Sequence, residues 1–372
     1  MATINADTSN GLKLTSDTSG EIELQSAGTT KAKITSSGLQ NASGSAITSQ
    51  AGNNIIINGN MQIAQRATST SSITNNGYYT VDRFQTFNDT MGTWTQSQST
   101  TAPSGQGFAT SLKMDCTTAD ASPSAADRLG IRQRFEGYNI AELDYGTASA
   151  QTTTLSFWVR SNKTGTYIAE LYGVTDNRQI SKSYTISSAD TWEKKTITFA
   201  GDTGGTYNND NSNELIISWY LGAGSDYTSG TLSTTWGAKT DADRAVGQVN
   251  LADSTSNEWY ITGVQLEVGT TATPFEHLQY TQQYALCQRY YQTILDCNQS
   301  YVNAGMHVGG RLQFNTEMRA NPTTTATVDT SANVDNSYTF YRVRTNSLGY
   351  YQSASAAGNF FWYTDFVMDS EL

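Results

Sequence analysis

In WYITGVQLEVG, residues 259–269, Val264, Leu266 and Val268 alternate with Gln265 and Glu267. A period of two is the side-chain repeat of a β-strand, whose successive residues face opposite ways. A helix does not sort side chains like this, so each recurrence of the pattern removes helix from that part of the chain. TLSFWVRS (154–161), TYIAELYGV (166–174), WEKKTITFAG (192–201) and ELIISWYLG (214–222) are strand candidates too, and apolar and polar residues alternate in most of the candidates. NIIING (54–59) and YYTVDRFQTF (78–87) are further strand candidates. Clusters of Gly, Asn, Asp and Ser separate them, as turns require. About eight to ten such strands over roughly 215 residues predict a mostly β chain. Its body, residues 53–275, is then a two-sheet jelly-roll β-sandwich with long loops. Gly269 and Pro274 break the pattern and give the chain a rigid exit.

Composition supports this and narrows the partners. Charged residues are 15% of the chain, against roughly 25% in ordinary globular proteins. The 21 Tyr, 12 Phe and 7 Trp supply ample buriable surface, so the chain is not disordered. The net charge of −11 argues against a nucleic-acid partner, because no basic stripe is present to neutralise phosphates. The same charge predicts that any bound polymer is neutral or weakly charged. No apolar run approaches the roughly 18 residues of a membrane span, so no membrane partner is expected. The opening MATINADTSN has neither the basic nor the apolar region of a secretory signal. Cys116, Cys287 and Cys297 show neither a disulfide framework nor zinc spacing. Folding in a reducing cytoplasm is the expectation.

The first 50 residues carry a repeat. GLKLTS, EIELQS and KAKITS start at 11, 21 and 31, a period of ten. Leu14, Leu24 and Ile34 fall in phase, with Lys13, Glu23 and Lys33 on the other face. Strands this thin bury too little to fold alone. Either chain copies wind together, or the strands form a meander docked on the next domain. Residues 37–52 read as a linker, so 1–52 is an N-terminal β-repeat anchor or stalk. From His277 to Leu295 there is no Gly or Pro, which predicts a connecting helix over 276–296. On it Tyr280, Tyr284, Cys287, Tyr291 and Ile294 follow 4-3-4-3 spacing, the period of a coiled-coil seam. The stripe either closes a homotrimer or covers the chain's own sandwich. VGGRLQFNTEM, TTTATVDT, SYTFYRVRT and NFFWYTDFVM return to strand character, so 297–372 is a small C-terminal β-sandwich, the tip.

Two blocks carry a resemblance. NIIINGNMQIAQRATST…GYYTVDRF (54–84) and WYITGVQLEVGTTATPFEHLQYTQQYALCQRYYQT (259–293) resemble tail-fibre and receptor-binding proteins of tailed bacteriophages. MRANPTTTATV (318–328) and the terminal DSEL (369–372) are similar to the small domain that follows the CQRYYQ helix in that group. The leading NGLKLTSDTSGEIELQSAGTT resembles the first segment of such fibres. TWEKKTITFAGD (191–202) and WYITGVQLEVG are similar, more loosely, to jelly-roll carbohydrate-binding modules. The resemblance implies a virion appendage assembled in the host cytoplasm, joined to other virion proteins through its N-terminal segment and binding host surface polysaccharide. The alternatives are a head fibre or capsid decoration protein, and a polysaccharide depolymerase.

No catalytic constellation stands out, since the two histidines, His277 and His307, sit in no enzyme motif. The chain is therefore expected not to be an enzyme. Sugar binding needs flat aromatic faces together with amides and carboxylates. Trp94, Tyr207, Tyr227 and Trp236 lie in polar stretches that read as loops or strand edges and are the candidate carbohydrate-binding residues. Trp158, Trp192, Trp219 and Trp259 lie in strand-like runs and read as core. DTGGTYNNDNSNE (202–214) offers Asp202, Asn208, Asp210, Asn213 and Glu214 as oxygen ligands, without the spacing of an EF-hand. No cofactor is expected; a structural Ca²⁺ on that loop is the alternative to a solvated turn.

Overall fold

The computed structural model describes residues 22–26, 29–35, 38–41, 54–335 and 337–372. The chain divides into two compact units, Met1–Asn53 with Thr273–Glu276, and Asn54–Ala272 with His277–Leu372. In the first unit β1 (Ile22–Ser26), β2 (Thr29–Thr35) and β3 (Gly38–Asn41) form an antiparallel sheet. The ten-residue period becomes a hairpin register, with Ile22 opposite Ile34 and Glu23 opposite Lys33. Lys33 Nζ lies 2.9 Å from Glu23. Residues 38–41, expected in a linker, are the third strand. The first repeat, 11–16, and the remainder of that linker lie outside the described residues.

The second unit holds the sandwich. Its first strands are β4 (Ser69–Ile73), β5 (Gly77–Tyr78), β6 (Gln85–Asp89), β7 (Thr93–Ser99), β8 (Ser111–Thr118) and β9 (Arg128–Glu136). Then come β10 (Thr153–Ser161), β11 (Gly165–Gly173), β12 (Arg178–Ile186), β13 (Glu193–Phe199), β14 (Asn213–Ala223), β15 (Gly237–Ala238) and β16 (Glu258–Val268). They form two sheets, in the orders β13-β10-β16-β8-β7-β4 and β15-β12-β11-β14-β9-β6-β5. One core joins the inward residues of both, including Leu155, Phe157 and Ile261 from the first and Ile131, Leu171 and Trp219 from the second. Phe157 meets Trp219 edge-on at 5.9 Å. This is the jelly-roll sandwich that the alternation predicts. Trp219 and Trp259 are fully buried in it.

Two strand expectations change. NIIING is a turn, because Asn58 takes a left-handed φ of 62° and the segment clips onto β16. Ile55 donates to the Leu266 carbonyl, and Val264 to that of Gly59. A Cβ on Gly59 would collide with the Val264 carbonyl oxygen, so this approach requires glycine. YYTVDRFQTF is broken by a turn at 80–83, where Arg83 has φ 72°.

The expected helix over 276–296 is shorter. The helix runs only over Tyr280–Gln288, and by Tyr291 the chain is a strand. Tyr290, Tyr291, Thr293 and Ile294 are aromatic or β-branched and pair better on a sheet than they stack on a helix. The tip then builds from β17 (Tyr291–Val302), β18 (His307–Gln313), β19 (Thr323–Ala332), β20 (Thr339–Tyr341), β21 (Ser347–Ser353) and β22 (Gly358–Asp369). They form two three-stranded sheets, β17-β22-β19 and β18-β21-β20, around a separate core that includes Tyr350, Trp362 and Phe366.

Candidate binding groove

The aromatic candidates do not form one platform. Trp94 is fully buried, with its indole N–H on the Met91 carbonyl at 2.8 Å. It is a core residue, not a sugar contact. Its polar neighbours mislead because Gln96 also points inward, where its amide bonds Thr80 and Thr86. Tyr207 and Trp236 are half-buried and both meet the Tyr145 ring edge-on, at 5.5 and 5.8 Å. The Tyr207 hydroxyl donates to Asp202, and the Trp236 indole to the Ala200 carbonyl. Both rings are fixed in place by these contacts. Tyr227 lies with its ring 5.3 Å from the guanidinium of Arg128.

The oxygen-rich loop is engaged by the chain's own donors. Arg178 forks onto Asp202 at 2.7 and 2.8 Å, and Thr175 and Asn208 donate to Glu214. Among the described residues, no three His, Cys, Asp or Glu side chains stand together as a metal site.

The seam residues separate. Tyr280, Tyr284 and Cys287 stay on the helix, but Tyr291 and Ile294 lie on β17, so the five cannot form one coiled-coil stripe. Cys287 is fully buried against Ile57, Ile63 and Tyr290 of the same chain. Tyr291 is buried under the Arg66 guanidinium at 3.7 Å, and Ile294 packs on the tip core.

What the sandwich offers instead is a groove of about 290 Å³ on the outer face of the seven-stranded sheet. Alternation builds its floor. In β9, Leu129, Ile131 and Phe135 point into the core, so Arg128, Arg132 and Arg134 point out. Register places Arg132 between Gln85 of β6 and Ser218 of β14, and Arg134 beside Ile216. Tyr172 of β11 lies opposite Ile216 in the next strand. The excursion between β14 and β16 folds over the other half of this face. There Ala245 packs with Phe87, Ile168 and Tyr220, and Tyr227 and Leu232 cover them. Its Lys239 and Arg244 form one wall of the open half. Arg244 forks onto the buried Glu170 at 2.7 Å twice and reaches Asp241 at 3.3 Å. Burial opposes the Arg244 charge, but Glu170 outweighs it and holds the guanidinium pKa well above its ordinary value.

None of these floor residues was a sequence candidate. The signal was present in RLGIRQRFE, where three arginines share the polar phase of one strand. It was hidden because the phase alone does not say whether that face is open or covered.

The blocks that carry the fibre resemblance meet elsewhere, at the junction of sandwich and tip. Arg83, fully buried, stacks on Tyr290 at 3.4 Å and donates to Glu371 and to the Arg134 carbonyl. Arg66 reaches Asp369 at 3.0 Å and Glu371 at 3.5 Å. Arg319 donates to the Ser370 and Asn211 carbonyls, and Arg289 forks onto the buried Glu136. Gln65 donates to both oxygens of Asp82, whose pKa burial nevertheless raises.

No protein-family model matches the sequence, and no curated protein matches it. Among solved structures, the chain is similar to the enzymatically active domain of tailspike protein 4 of bacteriophage CBA120, at 14% identity and TM-score 0.30. That match covers 58% of this chain and 22% of the tailspike. It is also similar to a putative sugar binding protein from Bacteroides thetaiotaomicron, at 12% identity and TM-score 0.33, covering 58% of this chain and 100% of that one. A third is the C-terminal family 22 carbohydrate binding module of Clostridium thermocellum Xyn10B, at 11% identity and TM-score 0.30, covering 60% and 99%.

Proposed function

We propose that this chain is a structural protein of a phage virion, a tail fibre or receptor-binding protein, that recognises a host surface glycan without cleaving it. The observation that carries the reading is the groove. It is open to solvent, crosses several strands, and combines a Tyr172 and Ile216 surface with side chains rich in hydrogen-bond donors. Saccharides are bound by such mixtures of ring surface and directed polar groups. The fibre-like blocks at the junction support the virion role, because they tie the sandwich to the tip and present both together. One shallow groove binds weakly, and several copies on one particle raise the avidity. A homotrimer supplies that multivalency. The carboxylates beside the groove, Glu170 and Asp241, are engaged by Arg244, which favours binding over glycosidic hydrolysis.

The test is retention of the purified chain on polysaccharide extracted from the bacterium that the phage infects, with immunogold labelling of intact particles. Retention and label on the tail are expected. No retention, label confined to the head, or release of reducing ends from the polysaccharide overturns the reading.

A further inference from the structure

We infer that the groove takes a sugar unit bearing an oxyanion, a carboxylate or sulfate, held by Arg132 and Arg134; this rests on the glycan-binding reading above. The two residues are two apart on β9 and so share its outer face, roughly 7 Å apart along the strand. Both turn their Nε–H onto one acceptor, Gln85 Oε1, at 2.6 and 3.3 Å. That convergence leaves the outer N–H groups of both guanidiniums without a hydrogen-bond partner among the described residues, the Arg132 guanidinium lying 5.5 Å from the Phe87 ring. The other cations on this face are neutralised within the chain. Arg128 pairs with Asp89 at 2.5 Å, Lys239 with Asp241 at 3.2 Å, and Arg244 with Glu170 and Asp241. Arg132 and Arg134 have no carboxylate within ion-pair distance among the described residues.

Two like charges half-buried side by side are unfavourable unless an anion joins them. Burial, and then Arg134, push the Arg132 guanidinium down to about 10, still charged at neutral pH. A forked guanidinium matches the two oxygens of a carboxylate or sulfate, and such charge-assisted bonds are about twice as strong as neutral ones. Ile216, paired with Arg134, and Tyr172, paired with Ile216 from the next strand, provide the surface for the ring that carries the anion. The net charge of −11 does not oppose this at contact range, because bulk charges are screened beyond about 8 Å at physiological salt. The expectation of a neutral ligand rests on the sum of the charges, and this inference on their distribution.

The experiment is an array of paired oligosaccharides, each uronate-bearing or sulfated member printed beside its neutral counterpart. The full chain, Arg132→Gln/Arg134→Gln, Arg132→Lys/Arg134→Lys and the control Lys194→Gln are applied. Lys194 is exposed on β13 of the other sheet, so it tests for non-specific charge effects. Acidic members should be retained over their neutral partners, with a roughly ten- to hundredfold loss in the double Gln variant. The Lys pair keeps charge without the fork and should fall between. The control should be unchanged. The uronate and sulfate spots separate the two sources of the oxyanion. Equal retention of neutral partners overturns the anion inference and leaves the glycan reading intact. Acidic retention unaffected by the Gln pair, or lost equally in Lys194→Gln, overturns the site. Retention of no member counts against both readings. Melting curves of each variant exclude unfolding as the cause, and the Lys pair carries the test if the Gln pair does not fold.

Discussion

Arg83 shows what one side chain does at the junction. Its guanidinium is fully buried, stacked on Tyr290 and paired with Glu371, whose own side chain is 5% exposed. Burying two charges is favourable only while they satisfy each other. Removing one leaves the other desolvated and unpaired. Glu371→Ala should therefore cost about 3 kcal/mol of stability. The lower end of the range for buried pairs applies, because Arg83 keeps its ring and its bond to the Arg134 carbonyl. Denaturant unfolding measures it. A cost within about 0.5 kcal/mol, as for an ordinary surface substitution, contradicts the burial of the pair. Gly130 is a second single-residue constraint. A Cβ there would collide with the Phe87 ring and the Trp219 carbonyl oxygen, so glycine lets Phe87 lie beside the arginines.

At the scale of elements, Glu258 at the start of β16 accepts from Lys113 of β8 at 2.8 Å and from Arg160 of β10 at 3.1 Å. Tyr260 donates to it as well. Burial alone would raise this carboxyl, yet Lys113, Tyr260 and Arg160 together hold it below its ordinary 4.5. The sign follows. The unfolded chain takes up the proton more readily, so the stabilisation is fully present above 4.5 and is lost as pH falls through the lower folded value. The melting temperature of the native chain should exceed that of Glu258→Gln at neutral pH, and the gap should close on acidification. A gap that stays constant into acid means that the three-strand cluster does not titrate as described.

At the scale of the whole molecule, exposed apolar residues line one face of the tip's β17-β22 sheet. Leu295 is 64% exposed, Tyr301 79% and Tyr363 46%, and Cys297, also exposed, lies directly opposite Tyr363. If copies of the chain assemble through this face, Cys297 is protected from a maleimide probe and becomes reactive on dilution. Cys116 and Cys287 should stay unlabelled in both states, because burial raises both thiols, Cys116 to about 11. Labelling of Cys297 that does not change with concentration, beside a sedimentation profile of an assembled species, places the contact elsewhere. The sequence by itself determined the mostly β class and several strands of each sheet. Alternation in segments such as WYITGVQLEVG favours strands, since only a pleated backbone separates Val264 and Leu266 from Gln265 and Glu267. Thus β10, β11, β14 and β16 were legible almost residue for residue. The helix was half legible: Tyr280–Gln288 formed, but the stripe ended where Tyr291 found Asp369 as a strand partner. The groove was not legible, because alternation assigns Arg132 and Arg134 to a face without saying what covers it. That depends on where a loop some hundred residues later comes to rest. It lies over Phe87 and Tyr220 and stops short of the two arginines, and only the tertiary structure decides that, since covering is a contact between segments and not a property of either.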